Sequence, residues 1–237
     1  MSLHIGIVGC SAEGAALCYR TICTEGAAAM GGIADGQTDG HAHPEVSMHT
    51  HSLADYVACL ARGDLAGVAD LMLSSAEKLA RAGADFLICP DNTIHQAFGL
   101  VAARSPLPWL HIAEVVAEAA AARGFRRVGI TGTRWLVDSD VYPEKLAARG
   151  IASVRPTEAD AGAIDRIIMD ELVRGVFRPE AVASFQAVFA RMKDAGCDAV
   201  VLGCTEIPLI MNEGNAPLPT LDSTRLLARA ALRRAAA

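Results

Sequence analysis

Residues 86–95, FLICPDNTIH, are the stretch of the chain that decides its fold. An apolar run of strand length ends there at a polar tip, and a helical pattern begins directly after it. Residues 199–206, AVVLGCTE, repeat the arrangement, and both stretches follow an Ala-Gly-x-Asp turn. Asp91 and Cys204 are 113 residues apart, and the two turns have the same separation. This spacing predicts that Asp91 and Cys204 occupy equivalent positions in two copies of one structural unit.

A second pair of matching stretches lies upstream. IGIVG at 5–9 recurs as VGITG at 128–132, at a separation of 123 residues. Strand patterns alternate with helical patterns along the chain, which is typical of parallel sheets covered by helices. We therefore predict an α/β fold of two pseudo-symmetric domains, each a parallel sheet flanked by helices, with the active site in the cleft between them. The predicted domain limits are 1–104 plus 212–237, and 105–211.

Polar side chains stand where four of the predicted strands end. They are Ser11, Asp91, Thr133 and Cys204. In open parallel sheets, ligands bind at the carboxyl ends of the strands. These residues are therefore the first candidates for a functional site.

Composition limits the classes of function. The net charge of -6 argues against nucleic acid as a partner, because phosphate binding requires a basic surface. The 7 cysteines are an odd number without C-x-x-C spacing, which is typical of reduced thiols in a cytoplasmic protein. No apolar stretch approaches the ~18 residues of a membrane span. We expect a protein of the cytoplasm that binds a small molecule, with no nucleic acid and no membrane as partner.

Four stretches resemble the aspartate/glutamate racemase superfamily, and its aspartate racemase branch most. They are IGIVGCSAE at 5–13 with Tyr19-Arg20, His43-Pro44, PxNTxH at 90–95, and LGCTEIPL at 202–209. The resemblance covers nearly the whole chain. It implies a cofactor-independent isomerase of two α/β domains, a homodimer, in which two cysteines at strand tips deprotonate and reprotonate a carbon atom.

The chemistry of racemisation explains why such a site needs two groups. A base removes the α-proton from one face of the carbon, and an acid supplies a proton to the other face. A helix N-terminus brings the pKa of a thiol toward neutrality and leaves the thiolate basic. Cys204, at a strand-to-helix tip, matches the family's second catalytic cysteine.

Asp91 departs from the family pattern, because it stands where the first catalytic cysteine is expected. A free carboxyl has a pKa of ~3.9 against ~8.5 for a thiol, a deficit of roughly 6 kcal/mol in proton affinity. Burial or a nearby anion would reduce this deficit. Three alternatives stay open: a two-sided amino-acid racemase or epimerase with catalytic Asp91 and Cys204, a single-cysteine isomerase or decarboxylase, and a catalytically silent small-molecule binding protein. Cys10 is a further candidate thiol, whereas Cys89 falls within the strand.

The resemblance also suggests how a substrate is held. Glu45 stands where the family's aspartate racemases carry an arginine, and this reversal of charge argues against aspartate as substrate. Arg174 stands where the family has a lysine, and we expect it to hold an anion. The other residues expected to contact substrate are Ser11, Asn92, Thr93, Thr133, Thr205 and Glu206. Helix N-capping is the alternative role for Asn92 and Thr205.

The histidines do not lead us to expect a metal. His41, His43, His49 and His51 form two pairs with i, i+2 spacing, which puts the members of a pair on one face of a strand. Zinc would need a further ligand and supporting partners, so we expect neither a metal nor a cofactor. Residues 26–43 are glycine-rich and polar, and we interpret them as a long loop.

Overall fold

The computed structural model describes residues 2–30 and 40–237, which form two compact units. The first unit comprises Met1–Ile112 with Thr224–Ala237, and the second comprises Ala113–Ser223. Each unit contains one four-stranded parallel sheet flanked by helices, so the predicted α/β fold class is confirmed.

The first unit builds its sheet from four short strands. They are β1 (Ile5–Gly9), β2 (Val46–Thr50), β3 (Phe86–Ile88) and β4 (Trp109–Leu110), in the order β2-β1-β3-β4. The helices are α1 (Ala12–Ala29), α2 (Leu53–Ala61), α3 (Leu65–Arg81), α4 (Phe98–Ala102) and the start of α5 (Ile112–Ala122), with a 3-10 turn at Thr93–Ala97. β1 and β3 are fully buried, as their continuous apolar runs predict for strands covered on both faces.

The second unit repeats this topology. Its strands are β5 (Arg127–Thr131), β6 (Ala152–Val154), β7 (Ala199–Leu202) and β8 (Thr220–Asp222), in the order β6-β5-β7-β8. Its helices are α5 after Ile112, α6 (Arg134–Val137), α7 (Val141–Ala147), α8 (Glu158–Asp170) and α9 (Pro179–Asp194), with 3-10 turns at Leu172–Arg174 and Ile207–Leu209. The closing helix α10 (Ser223–Ala236) returns to the first unit, where the Leu3 N–H donates to the Ala235 carbonyl at 3.0 Å.

The register of the strands confirms the internal repeat. Ile5 pairs with Phe86 in the first sheet, and Val128 pairs with Ala199 in the second. These are the same pairs that the separations of 123 and 113 residues predict. Asp91 and Cys204 therefore follow equivalent central strands, each three residues beyond a paired position.

The end of α1 differs from the expected loop. Residues 26–29 continue the helix, residues 40–43 are irregular as expected, and residues 31–39 of the expected loop lie outside the described residues. A Cβ at Gly26 would lie 2.5 Å from the Cβ of His43 and 2.8 Å from the Ala42 carbonyl oxygen. Gly26 is thus required for close packing against the chain at 42–43, and it does not end the helix.

Local contacts set one helix break and one domain boundary. Ser139 separates α6 from α7, because its hydroxyl donates to the Leu136 carbonyl at 2.7 Å and accepts from the Val141 N–H at 3.4 Å. β4 pairs with β3 and belongs to the first unit, although the expected limit at 104 assigned it to the second. In the part of the chain that is described, no helix is both long and apolar enough to cross a membrane.

Candidate active site

The carboxyl edge of the first sheet gathers several polar and thiol side chains. Because β1 and β3 are parallel and pair as Ile7 with Ile88, their next residues reach the same edge, with Cys10 and Ser11 after β1 and Asp91 after β3. Ser11, Asn92 and Thr93 are buried there, and Asp91 is partly exposed. The first unit therefore brings together all of its predicted site residues except Glu45.

The Asp91 carboxylate is built into its own turn. Its Oδ1 accepts the backbone N–H of Thr93 at 3.1 Å and of Ile94 at 3.4 Å. The side chain of Asn92, which was a candidate for this capping role, makes no capping hydrogen bond to the 3-10 turn. Hydrogen bonds donated to a carboxylate favour its ionised form. The turn therefore holds the Asp91 carboxylate in a defined orientation.

His95 holds the main chain of Asp91. Its Nδ1 donates to the Asp91 carbonyl oxygen at 2.7 Å, and its Nε2 accepts the backbone N–H of Ile112 at 3.5 Å. Since one ring nitrogen must carry the hydrogen and the other must not, these bonds select one neutral tautomer of the imidazole. The ring is 3% exposed and lies edge-on to His111 at 4.7 Å between centroids. His95 belongs to the PxNTxH stretch at 90–95 but was not predicted as a site residue, and its position four residues after Asp91 was the available signal.

Two buried thiols, Cys89 and Cys10, lie near the end of the central strands of the first sheet. Cys89 is completely buried, and burial raises the pKa of its thiol well above the ordinary value, with the negative charge of Asp91 as the next cause. Its Sγ donates to the Asp91 carbonyl oxygen at 3.7 Å. Cys89 is thus an unreactive core thiol, as expected from its place at the end of a buried strand. Cys10 is 6% exposed at the tip of β1.

The tip of the second sheet carries a thiol paired with a buried carboxylate. The Cys204 Sγ donates to Glu206 Oε2 at 2.9 Å, and the Thr205 hydroxyl donates to the same oxygen at 2.7 Å. Glu206 and Thr205 are each 2% exposed, whereas Cys204 is partly exposed. The Glu206 carboxylate is therefore a strong hydrogen-bond acceptor beside the partly exposed sulfur of Cys204.

The approach of two strands fixes the position of Cys204. The Gly203 N–H donates to the Thr131 carbonyl at 2.9 Å, and a Cβ on Gly203 would lie 2.4 Å from that oxygen. Only glycine permits this approach, so the residue before Cys204 is held against β5. Thr133, after β5, caps α6 by accepting the Leu136 N–H at 3.4 Å, and Ser11 caps α1 by accepting the Gly14 N–H at 3.2 Å.

Glu45 lies apart from the tip of the first sheet. Glu45 precedes β2 and is 3.8 Å from the His4 ring, at the amino edge of the first sheet. The register places it about six residues from Asp91 along the strand direction, which is roughly 20 Å. The structure does not bring Glu45 to the site, because the strand begins after it. Arg174 is exposed at the end of the 3-10 turn Leu172–Arg174.

The histidines of β2 take part in hydrogen bonds with α3. The Nδ1 of His49 is 2.9 Å from the Ser75 hydroxyl and its Nε2 is 3.0 Å from Lys78 Nζ, while the Nε2 of His51 is 3.2 Å from the Ser74 hydroxyl. Within residues 2–30 and 40–237, no group of three or more His, Cys, Asp or Glu side chains is arranged to hold a metal ion.

Comparison with known proteins identifies the family. The family model described as Asp/Glu/Hydantoin racemase matches residues 26–231. A candidate Asp/Glu racemase from Yersinia pestis is 28% identical with a TM-score of 0.85, covering 98% of this chain and 99% of that one. An aspartate racemase homologue from Pyrococcus horikoshii OT3 is 25% identical with a TM-score of 0.79, covering 100% of both chains.

A third relative is an amino-acid racemase of Bacillus subtilis. The broad specificity amino-acid racemase RacX of Bacillus subtilis (strain 168) is 21% identical over 161 residues, which is 67% of this chain and 68% of that protein. The matched region includes both strand tips, and the repeated topology agrees with that of the structural relatives. The chain is therefore a member of the Asp/Glu/Hydantoin racemase family.

Proposed function

We propose that this protein is a cofactor-independent amino-acid racemase or epimerase, an isomerase that removes and returns the proton at the α-carbon of a small amino acid. The observation that carries the proposal is the pair of equivalent strand tips, one ending in Asp91 and the other in Cys204. Each tip holds an acid-base group in a defined orientation through its own hydrogen bonds. Family membership supports the same reaction class.

Cys204 and Glu206 form the half of the machinery that the geometry supports best. The thiol donates to a carboxylate at 2.9 Å, so a thiolate forms when the proton moves to Glu206 Oε2. The thiolate then removes the α-proton from the substrate, and the two electrons of the C–H bond remain on the carbon. The Thr205 hydroxyl stays bound to Oε2 and holds the Glu206 side chain in place.

Asp91 supplies the other half in the two-sided reaction. In its protonated form it gives a proton to the opposite face of the carbanion, and as a carboxylate it removes that proton in the reverse direction. The amide donors of Thr93 and Ile94 hold Oδ1 in place. Ser11, Asn92, Thr93 and Thr133 are proposed to bind substrate.

One observation favours a second candidate. Two backbone N–H groups donate to the Asp91 carboxylate, which favours the anion and weakens Asp91 as a base. A single-cysteine isomerase or decarboxylase, in which Cys204 works on one face and Asp91 orients the substrate, is therefore the alternative.

The substrate is proposed to be a small amino acid with a free α-carboxylate. The charge of Glu45 no longer argues against an acidic side chain, because Glu45 lies at the amino edge of its sheet. Arg174 and the backbone N–H groups after each tip are the proposed anion contacts. We further propose that the enzyme acts as a homodimer in the cytoplasm, as the family resemblance implies.

Incubation of L- and D-amino acids with the protein in deuterated water tests the proposal. Racemisation predicts that deuterium enters the α-position and that the opposite enantiomer accumulates, measured by proton NMR and chiral chromatography. Cys204→Ala should abolish both signals. Exchange without inversion, or loss of the carboxyl group, would favour the single-cysteine alternative. Thermal stabilisation by an amino acid without exchange would show a binding protein and overturn the proposal.

A further inference from the structure

The His95 ring lies between two backbone groups whose hydrogen-bonding roles are fixed. The Asp91 carbonyl oxygen can only accept and is 2.7 Å from Nδ1, whereas the Ile112 N–H can only donate and its nitrogen is 3.5 Å from Nε2. The imidazole must therefore donate at Nδ1 and accept at Nε2. Because its two nitrogens point in different directions, the ring forms a bridge between the turn at 91–94 and the start of α5, which we call the His95 bridge.

One end of the His95 bridge satisfies a group that α5 cannot satisfy by itself. Ile112 is the first residue of α5, and the first N–H groups of a helix have no acceptor within the helix. Ile112 is completely buried, and a buried N–H without an acceptor is unfavourable. His95 thus caps α5 from a position 17 residues earlier in the chain.

The other end fixes the main chain of Asp91. Its carbonyl oxygen accepts from His95 Nδ1 at 2.7 Å and from Cys89 Sγ at 3.7 Å. A fixed carbonyl sets the plane of the peptide unit that follows Asp91. The amides of Thr93 and Ile94 orient the carboxylate within the turn. The His95 bridge instead determines where the turn lies relative to α5.

Aromatic contacts keep the ring in this orientation. His95 is 3% exposed and stacks on Phe98 at 5.6 Å between centroids, with the ring planes 11° apart. It also lies edge-on to His111 at 4.7 Å, and Phe98 packs edge-on against Trp109 at 6.0 Å. A phenylalanine at position 95 would retain the ring contacts and lose both hydrogen bonds. This substitution therefore separates the packing of the ring from the His95 bridge.

We propose that His95 is a positioning residue for Asp91: it couples the turn that carries the Asp91 carboxyl group to the first turn of α5, and so sets the position from which this group acts on the substrate. The catalytic part of this inference rests on the proposed function, whereas the coupling itself does not. A misplacement of a reacting group by about 1 Å can cost ~10²-fold in rate, so the coupling bears directly on turnover.

The tautomer of His95 is the first measurement, and it needs no substrate. NMR of protein labelled with nitrogen-15 in histidine distinguishes a ring nitrogen that carries a hydrogen from one that does not, and the missing signal in His95→Phe assigns the residue. We expect the hydrogen on Nδ1 alone in the folded protein. A hydrogen on Nε2 would leave the Ile112 N–H without its acceptor and would overturn the proposal.

Amide hydrogen exchange tests whether the two ends of the bridge are coupled. His95→Phe should raise the exchange rates of the Ile112 N–H and of the two amides bound to the Asp91 carboxylate by about 10-fold or more. His95→Asn places an amide nitrogen near the position of Nδ1, so it should restore the protection of Thr93 and Ile94 but not that of Ile112. Faster exchange at Ile112 alone would show that His95 only caps α5 and would overturn the proposal.

His51→Phe is the matched control. His51 is another histidine of the first unit, and its Nε2 is 3.2 Å from the Ser74 hydroxyl. It follows β2, which is separated from β3 by β1. This substitution should leave the three amide rates within about 2-fold of wild type. If it raises them as much as His95→Phe does, the effect is general destabilisation and the proposal fails.

A double-mutant cycle connects the bridge to turnover. If the wild-type protein exchanges the α-proton of an amino acid, His95→Phe should lower kcat about 10-fold with KM changed by less than about 2-fold, and His95→Asn should recover most of the loss. In an Asp91→Asn background, His95→Phe should change the residual exchange by less than about 2-fold, because it acts through Asp91. A further loss of the full size would show a role independent of Asp91 and would overturn the proposal.

The same measurements separate this proposal from the proposed function. If the wild-type protein shows no α-proton exchange, the proposed function fails. The tautomer and the amide exchange rates then decide whether His95 positions the turn that carries Asp91.

Discussion

Two substitutions at Asp91 separate its structural role from its chemical one. The carboxylate oxygen Oδ1 receives two backbone N–H groups, so part of the requirement for this residue is that of a cap. Asparagine retains an oxygen at that position but takes up no proton in the working pH range. Alanine removes both the oxygen and the acid-base group. Comparison of the two variants therefore tests each role separately.

The expected magnitudes follow from these contacts. Asparagine and aspartate are nearly equal as caps, so Asp91→Asn should cost less than about 0.5 kcal/mol of folding free energy, and Asp91→Ala about 1 kcal/mol or more. For a chain of this size, 1 kcal/mol lowers Tm by roughly 2–4 °C. Both variants should lose α-proton exchange on one face by about 10²- to 10⁴-fold, because a general acid-base group contributes that much.

The assay pairs thermal unfolding with deuterium exchange on each enantiomer of the substrate. The expected pattern is a stable but inactive Asp91→Asn protein and a less stable, equally inactive Asp91→Ala protein. If Asp91→Asn exchanges both enantiomers within about 2-fold of wild type, Asp91 is only a cap and the two-sided mechanism is wrong.

Three further predictions concern the second unit. Glu206→Gln removes the charge 2.9 Å from the Cys204 sulfur, so alkylation of Cys204 by iodoacetamide, followed by mass spectrometry, should be at least about 3-fold faster; an unchanged rate would contradict the contact. Gly203→Ala places a Cβ 2.4 Å from the Thr131 carbonyl oxygen and should cost about 1–3 kcal/mol in urea unfolding, whereas Gly99→Ala, with no atom within 4 Å, should be neutral or stabilising. Hydrogen bonds from Arg191 lower the pKa of Asp160, and burial partly opposes this shift. The ionised Asp160 therefore stabilises the folded protein at pH values above its unfolded pKa of ~3.9. This stabilisation is lost as the pH falls through the lower pKa of the folded state. The stability difference between wild type and Asp160→Asn should therefore shrink between about pH 5 and pH 2, and a difference that is constant with pH would count against the ion pair.

The strand tips were predictable because pairing in a sheet requires fixed spacing. Once two strands of one unit match two strands of the other, the residues that follow them must fall at equivalent positions. The separations of 123 and 113 residues were sufficient to align Asp91 with Cys204, and the paired positions of β1 with β3 and of β5 with β7 agree. The α/β class followed from the alternation of strand and helix patterns.

The position of Glu45 was not predictable from the same patterns. Its placement depends on where β2 begins, and a difference of a few residues moves a side chain from one edge of a sheet to the middle of a strand. The capping role of Asp91 depends on turn geometry, which was equally consistent with Asn92.

The two sheets share strand order and register, yet one tip ends in a carboxyl group and the other in a thiol. If the carboxyl group and the thiol act on one α-carbon, the two enantiomers of the substrate are deprotonated by different bases. Since enantiomers have equal free energy in water, the Haldane relation still requires equal kcat/KM in the two directions. The difference between the two bases must then change kcat and KM by the same factor. The enantiomer that is deprotonated by the weaker base should show a lower kcat together with a proportionally lower KM.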